Sequence, residues 1–187
     1  MLAKSPRGVS LLETVLYIGL LAIILPAMAV FFLQVQLQHV AFDARTRLEQ
    51  TAALTFSELQ NNLTAAQAIT TSTSTFGVNP SILRFKDVSG ATVVIDCPSV
   101  SVVFPGGSQN VRRLRMQTGA APAIYLTDSD IDVTSWQVTT IKNSADVLTG
   151  LRFNVNFALL GATKSVYRKA AFKSNTTISL APQTIAN

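Results

Sequence analysis

The chain is poor in the residues that do chemistry. It holds one cysteine, Cys97, and one histidine, His39, in 187 residues. A lone cysteine excludes an intrachain disulfide, which a domain of this size does not need for stability. Cys97 follows the strand-like run Val93-Val94-Ile95-Asp96 and reads as a buried, inert thiol, since a reactive one needs an exposed electropositive setting. His39 has no second histidine and no cysteine near it, so a metal site lacks ligands and the residue reads as a polar position on a helix. One histidine also offers no Ser-His-Asp constellation that spacing would support. The phosphate-cradling pattern G-x-x-x-x-G-K, the dinucleotide pattern G-x-G-x-x-G and paired cysteines are all missing. The composition therefore predicts no cofactor, no metal and no enzyme activity. Charged residues make up only 13% of the chain and the net charge is +5, too small a basic balance to dictate a partner.

What the chain does have is a long apolar run. Residues 8–33 read G-V-S-L-L-E-T-V-L-Y-I-G-L-L-A-I-I-L-P-A-M-A-V-F-F-L, interrupted by a single carboxylate, Glu13. Residues 14–33 carry no charge, and about 20 such residues span a bilayer of roughly 30 Å as a helix. Lys4 and Arg7 precede the run, and positive charge there holds that end in the cytoplasm and sends the rest across. A charge at the centre of a membrane helix costs on the order of 2.5–3.5 kcal/mol, so Glu13 calls for a partner.

Three readings of this segment stand side by side. Ser10-Leu11-Leu12-Glu13 fits a capping box, in which serine and glutamate satisfy each other's backbone N–H groups and the acid meets the positive end of the helix dipole. Lys4, Arg7, the apolar stretch and Ala27-Met28-Ala29 also fit a secretory signal peptide cleaved after Ala29, although the acid and the apolar continuation through Val30-Phe31-Phe32-Leu33 count against it. That reading implies a secreted or anchored adhesive or binding domain.

The third reading rests on a family pattern. A short basic leader ending in Gly8, then Val9, then Glu13 as the fifth residue after the glycine, then an apolar helix, resembles the leader of type IV pilins and pseudopilins. The resemblance covers about the first 30 residues. Phenylalanine is commoner than valine at the position of Val9, and Pro26 lies earlier than the helix-softening proline of many major pilins. The resemblance implies that a prepilin peptidase cuts between Gly8 and Val9 and methylates the new amine of Val9. It implies a single-pass subunit of the cytoplasmic (inner) membrane with its N-terminus in the cytoplasm. That subunit joins other pilin or pseudopilin subunits through the N-terminal helix, in a type IV pilus, a type II secretion pseudopilus or a related extracellular or periplasmic filament. In such a stack Glu13 meets the amine of a neighbour. A buried pair of this kind sets register more than it adds stability.

Beyond the membrane segment, Leu37, Ala41, Ala44, Leu48, Ala52, Phe56, Leu59, Leu63 and Ala66 recur every three or four positions. This predicts one helix over residues 10–69, roughly 90 Å long. Gly19 and Pro26 are the places where it should kink or melt. The expected organisation is a leader at 1–8, a membrane or filament-core helix at 9–35, and its amphipathic continuation at 36–69. A Ser/Thr-rich linker follows at 70–81, also a candidate O-glycosylation tract, and then a head at 82–187.

In the head the period becomes two. Expected strands are 82–86, 92–96, 100–104, 111–117, 123–126, 133–142, 150–160 and 164–180, with glycine, proline and Asx turns between them. Leu151, Phe153, Val155, Phe157 and Leu159 alternate with Arg152, Asn154, Asn156 and Ala158, giving one buried and one wet face. The expected class is α+β, a long helix packed on an antiparallel sheet. The order resembles larger minor pilins and J-type pseudopilins.

Three further clusters stand out. Asp128, Asp130 and Asp132 have the spacing of a calcium loop but lack its glycine and distal glutamate, and read as a solvated turn. Arg112, Arg113 and Arg115 form the densest basic group, with Arg113 and Arg115 expected on one strand face; a solubilising role or a DNA contact fits them, the latter without aromatic stacking partners nearby. Asn62 and Asn175 open N-x-S/T matches, the first expected on the buried side of a helix.

Overall fold

A computed structural model describes residues 10–105, 107–160 and 170–180. It divides into two units, one up to Val40 and one from Ala41 onward. A single helix, α1 (Leu11–Thr64), contributes to both, and ten strands follow it. The class is α+β.

In the first unit α1 is exposed on every side from Leu11 to Gln34. It is helical through both Gly19 and Pro26, so the expected melting does not occur. Proline lacks a backbone donor, and the flanking turns of leucine, isoleucine and alanine hold the helix around it. The helix is long and apolar enough to cross a membrane.

In the second unit the apolar stripe turns inward. Ala44, Leu48, Ala52, Thr55, Leu59 and Leu63 are buried, and Phe56 is half-buried. Three leucines on one face contribute about 1.5–3 kcal/mol each by leaving water. Leu37 and Ala41, expected in the stripe, are exposed. The helix ends at Thr64, whose hydroxyl donates back to the carbonyl of Gln60 (2.8 Å), and not at residue 69. Beyond it Ala68–Ile69 forms β1, drawn into pairing with β2 (Leu83–Lys86).

The strands build three antiparallel sheets, where one was expected. The first has the order β1-β2-β3-β6-β7, with β3 at Thr92–Asp96, β6 at Arg115–Thr118 and β7 at Ile124–Tyr125. The second is β10-β9-β8, with β8 at Ile131–Lys142, β9 at Leu148–Leu159 and β10 at Ala171–Ser179. The third is the ribbon of β4 (Ser99–Phe104) and β5 (Gly107–Arg112). The expected strand over 111–117 is thus two strands in two sheets. Arg112 pairs with Ser99 in the ribbon, whereas Arg115 pairs with Asp96 in the five-stranded sheet. Pro98 forces the matching break between β3 and β4, and its carbonyl accepts from Arg113 N–H (3.1 Å). Of the expected strand 164–180, residues 164–169 and the turn glycine Gly161 lie outside the described residues.

Residues 70–81 are tied into the fold. Ser74 Oγ donates to the carbonyl of Thr70 (2.7 Å) and accepts from Arg84 N–H (2.9 Å). Thr75 N–H donates to the carbonyl of Ile82 (2.8 Å). Asn62, expected buried, is half-exposed and donates to the Glu58 side chain (3.0 Å).

The core joins the helix stripe to both larger sheets. Leu48, Leu59 and Leu63 share one cluster with Leu83, Phe85, Val93 and Ile95 and with Val133, Trp136, Phe153 and Phe157. The alternation expected in β9 is present, with Leu151, Phe153, Val155 and Phe157 buried. In β8 a bulge between Val133 and Ser135 shifts the register so that both Val133 and Trp136 face inward. Trp136 lies against Phe153 with ring centroids 5.7 Å apart. Its Nε1 has no hydrogen-bond partner among the described residues. An orphaned donor costs about 1–3 kcal/mol, whereas burying an indole of about 200 Å² returns ~5 kcal/mol, so the ring stays inside.

Two substitutions test this packing by urea denaturation. Leu59→Ala should cost about 2–5 kcal/mol, because the side chain is fully buried where helix meets sheets. Gly150→Ala should cost about 1–3 kcal/mol, because its Cβ would stand 3.0 Å from the carbonyl oxygen of Ile178 on the neighbouring strand. An unchanged midpoint for either would contradict this account of the core.

Candidate functional site

The N-terminal helix is the first candidate. Glu13 lies in the first turn of α1, where its charge meets the positive end of the helix dipole. The carbonyl of Ser10 accepts from Thr14 N–H (3.1 Å), which places Ser10 at the helix N-cap. The reciprocal bonds of a capping box are not formed: among the described residues, neither the Ser10 hydroxyl nor the Glu13 carboxylate has a hydrogen-bonded partner. The expected cleavage pair Gly8 and Val9, and the orienting Lys4 and Arg7, lie outside the described residues. The apolar surface around Glu13 is continuous: Leu11, Leu12, Leu16, Tyr17 and Leu20 are all at least half exposed. Such a surface is incompatible with water and fits a lipid bilayer or a bundle of like helices.

The arginine cluster is the second candidate, and the structure gives each guanidinium an internal partner. Arg115 forms a bidentate pair with Asp96, directly opposite on β3: Nε donates to Oδ1 (2.7 Å) and Nη2 to Oδ2 (2.8 Å). That carboxylate holds the Arg115 guanidinium above its ordinary pKa. Arg113 donates through Nε and Nη2 to the carbonyl of Thr127 (3.1 and 2.5 Å), and its guanidinium carbon lies 4.0 Å from the centre of the Tyr125 ring. The aromatic partner that the sequence lacked nearby is supplied by β7. Arg112 donates through Nη2 to the carbonyl of Thr134 (2.5 Å), and its backbone N–H donates to Asp132 (2.8 Å). Each guanidinium thus serves an internal partner, and Arg113 and Arg115 both lie beside Tyr125, which pairs directly with Arg115 and carries the Arg113 guanidinium on its ring.

The acidic triplet is likewise used by the fold. Arg47 on α1 pairs with Asp128 (3.3 Å) and Asp130 (2.8 Å), while Asp132 has entered β8 and accepts from Arg112 N–H. The turn is therefore bonded to the helix, where solvation was expected. Among the described residues no group of three histidine, cysteine or acidic side chains is placed to hold a metal ion. His39 is exposed on α1.

Cys97 is buried beneath the point where β3 hands over to β4. Burial pushes its thiol up to about 12, opposed by the Arg112 charge and supported by Asp132 and Asp96. No family model, curated protein or solved structure gives a significant match to the chain.

The thiol gives a measurable consequence. Native protein at pH 8 should leave Cys97 untouched by a thiol-reactive dye, with one equivalent released in denaturant. Because the folded value lies above that of an exposed thiol, the stabilising effect of burying neutral Cys97 is complete below the ordinary thiol range. It is lost as the pH climbs towards about 12, since the unfolded chain gives up its proton first. Fast native labelling would refute the burial.

Proposed function

We propose that the chain is a prepilin-like structural subunit of a type IV pilus, type II secretion pseudopilus or related filament, a minor component and not an enzyme. Prepilin peptidase cleaves it between Gly8 and Val9 and methylates the Val9 amine. Lys4 and Arg7 orient its insertion. Before assembly it resides in the inner membrane, and afterwards in an extracellular or periplasmic filament. The observation that carries this reading is a helix of membrane-spanning length, exposed all round, whose only charge from Leu11 to Leu33 is Glu13 in its first turn. The helix dipole alone offsets only a part of the cost of placing that acid in an apolar setting. A filament offsets the rest, because a cleaved neighbour supplies an amine that neutralises it. The head faces the exterior, and its loops set partner choice. The arginine cluster, engaged internally, adds no support for a DNA contact.

N-terminal sequencing of the mature protein tests the reading. A methylated chain starting at Val9 supports it. A start at Val30 would instead mark a secreted domain released by signal peptidase after Ala29. Glu13→Leu should insert and be processed normally yet drop out of purified filaments, and normal incorporation would remove Glu13 from its assigned role.

A further inference from the structure

The three-stranded sheet treats its two edges differently. The edge at β8 is covered by the preceding loop. Asn79 Oδ1 accepts from Trp136 N–H (3.0 Å), and Ser81 Oγ accepts from Val138 N–H (3.0 Å). Ser81 N–H donates to the carbonyl of Trp136 (2.9 Å), and Gly77 N–H to that of Val138 (2.8 Å). The opposite edge, β10, is bonded to β9 alone among the described residues. Leu159 N–H donates to the carbonyl of Ala170 and Leu180 N–H to that of Thr149, both at 3.0 Å. With the unbroken register between them, these bonds place the even-numbered residues of β10 against β9. The N–H and C=O groups of Ala171, Lys173, Asn175, Thr177 and Ser179 then point away from the sheet, and all five residues are exposed.

Protein edges are normally blunted by proline, bulges, shortness or charge. The strand β10 has nine residues, no proline and no register shift, and its one charge is Lys173. The side chains flanking the outward groups are small or polar, so a second backbone can approach.

We infer that β10 is a pairing edge for the β10 strand of a second copy of this chain, antiparallel about a two-fold axis through Asn175. In that register Asn175 faces Asn175, Lys173 faces Thr177 and Ala171 faces Ser179. All five outward residues are paired, giving about ten main-chain hydrogen bonds. No like charges are opposed, whereas a shift that put Lys173 opposite Lys173 would pair fewer residues and set two cations face to face. The edge is self-complementary in both bonding and charge, and this selects a second copy over an unrelated strand. Such a contact closes on itself, unlike the head-to-tail contact that propagates a filament. It therefore stands independently of the proposed function and applies to any two copies displayed on one surface.

Disulfide trapping of the full chain in membrane vesicles tests it. Partners in a hydrogen-bonded antiparallel pair have Cα atoms about 5.5 Å apart, within disulfide reach. Positions offset by four residues are roughly 14 Å apart and outside it. Asn175→Cys should give a covalent dimer under mild oxidation. Lys173→Cys and Thr177→Cys should give none singly and a dimer when the two are co-expressed. Adding Thr177→Pro to Asn175→Cys removes an outward donor without touching the ladder to β9, and should abolish the dimer. Resistance of Cys97 to thiol reagents reports that each variant is folded. Dimers from all single variants alike, or none from folded Asn175→Cys, would overturn the inference.

Discussion

The head depends on one helix face serving two sheets. Each of the larger sheets has a single apolar side, and neither can bury it alone. The stripe from Ala44 to Leu63 supplies the missing surface, and Trp136, Phe153 and Phe157 from one sheet meet Phe85 and Ile95 from the other around it. The helix is held in place along its length by polar contacts at the margin of this core. Thr55 Oγ1 donates to the carbonyl of Leu126 (3.2 Å), and Arg47 grips Asp128 and Asp130. Burial of the stripe, worth several kcal/mol, decides the packing. The exposed ion pairs contribute about 0–1 kcal/mol each and fix position more than stability.

The same helix changes role between its two parts. From Ala44 to Leu63 its apolar residues recur every three or four positions and are buried. From Leu11 to Leu33 apolar residues occupy every side, and none is buried. A helix that is hydrophobic all round needs a non-aqueous neighbour on all sides. The intrinsic helix propensity of leucine, alanine and methionine lets the two parts run together through Gly19 and Pro26.

Much of this was legible in one dimension. The alternation in β9, the stripe on α1 and the position of β3 all emerge from periodicity, because burial on one face leaves a repeating mark. Residues recruited by distant partners were not legible. Ala68–Ile69 continued the helical pattern but was captured by β2. The strand-like run over residues 111–117 changes sheets at Arg113-Leu114, opposite the break that Pro98 makes between β3 and β4. The arginines looked like one free basic patch because they are neighbours in sequence, yet Asp96, Thr127 and Thr134 each engage one of them. The Ser/Thr tract looked like a linker, although Ser74 and Thr75 bond into the fold and Ser81 caps β8.

The sequence by itself determined the membrane-competent helix, its lone acid, the amphipathic stripe and the alternating strands, because hydropathy and its period are properties of consecutive residues. Only the tertiary structure decided that the strands divide into three sheets, that the charged clusters are consumed by internal partners, and that one edge of the second sheet is covered while the other is bonded on one side alone. Those outcomes depend on which backbone groups and side chains meet across tens of residues, and local pattern carries no record of such meetings.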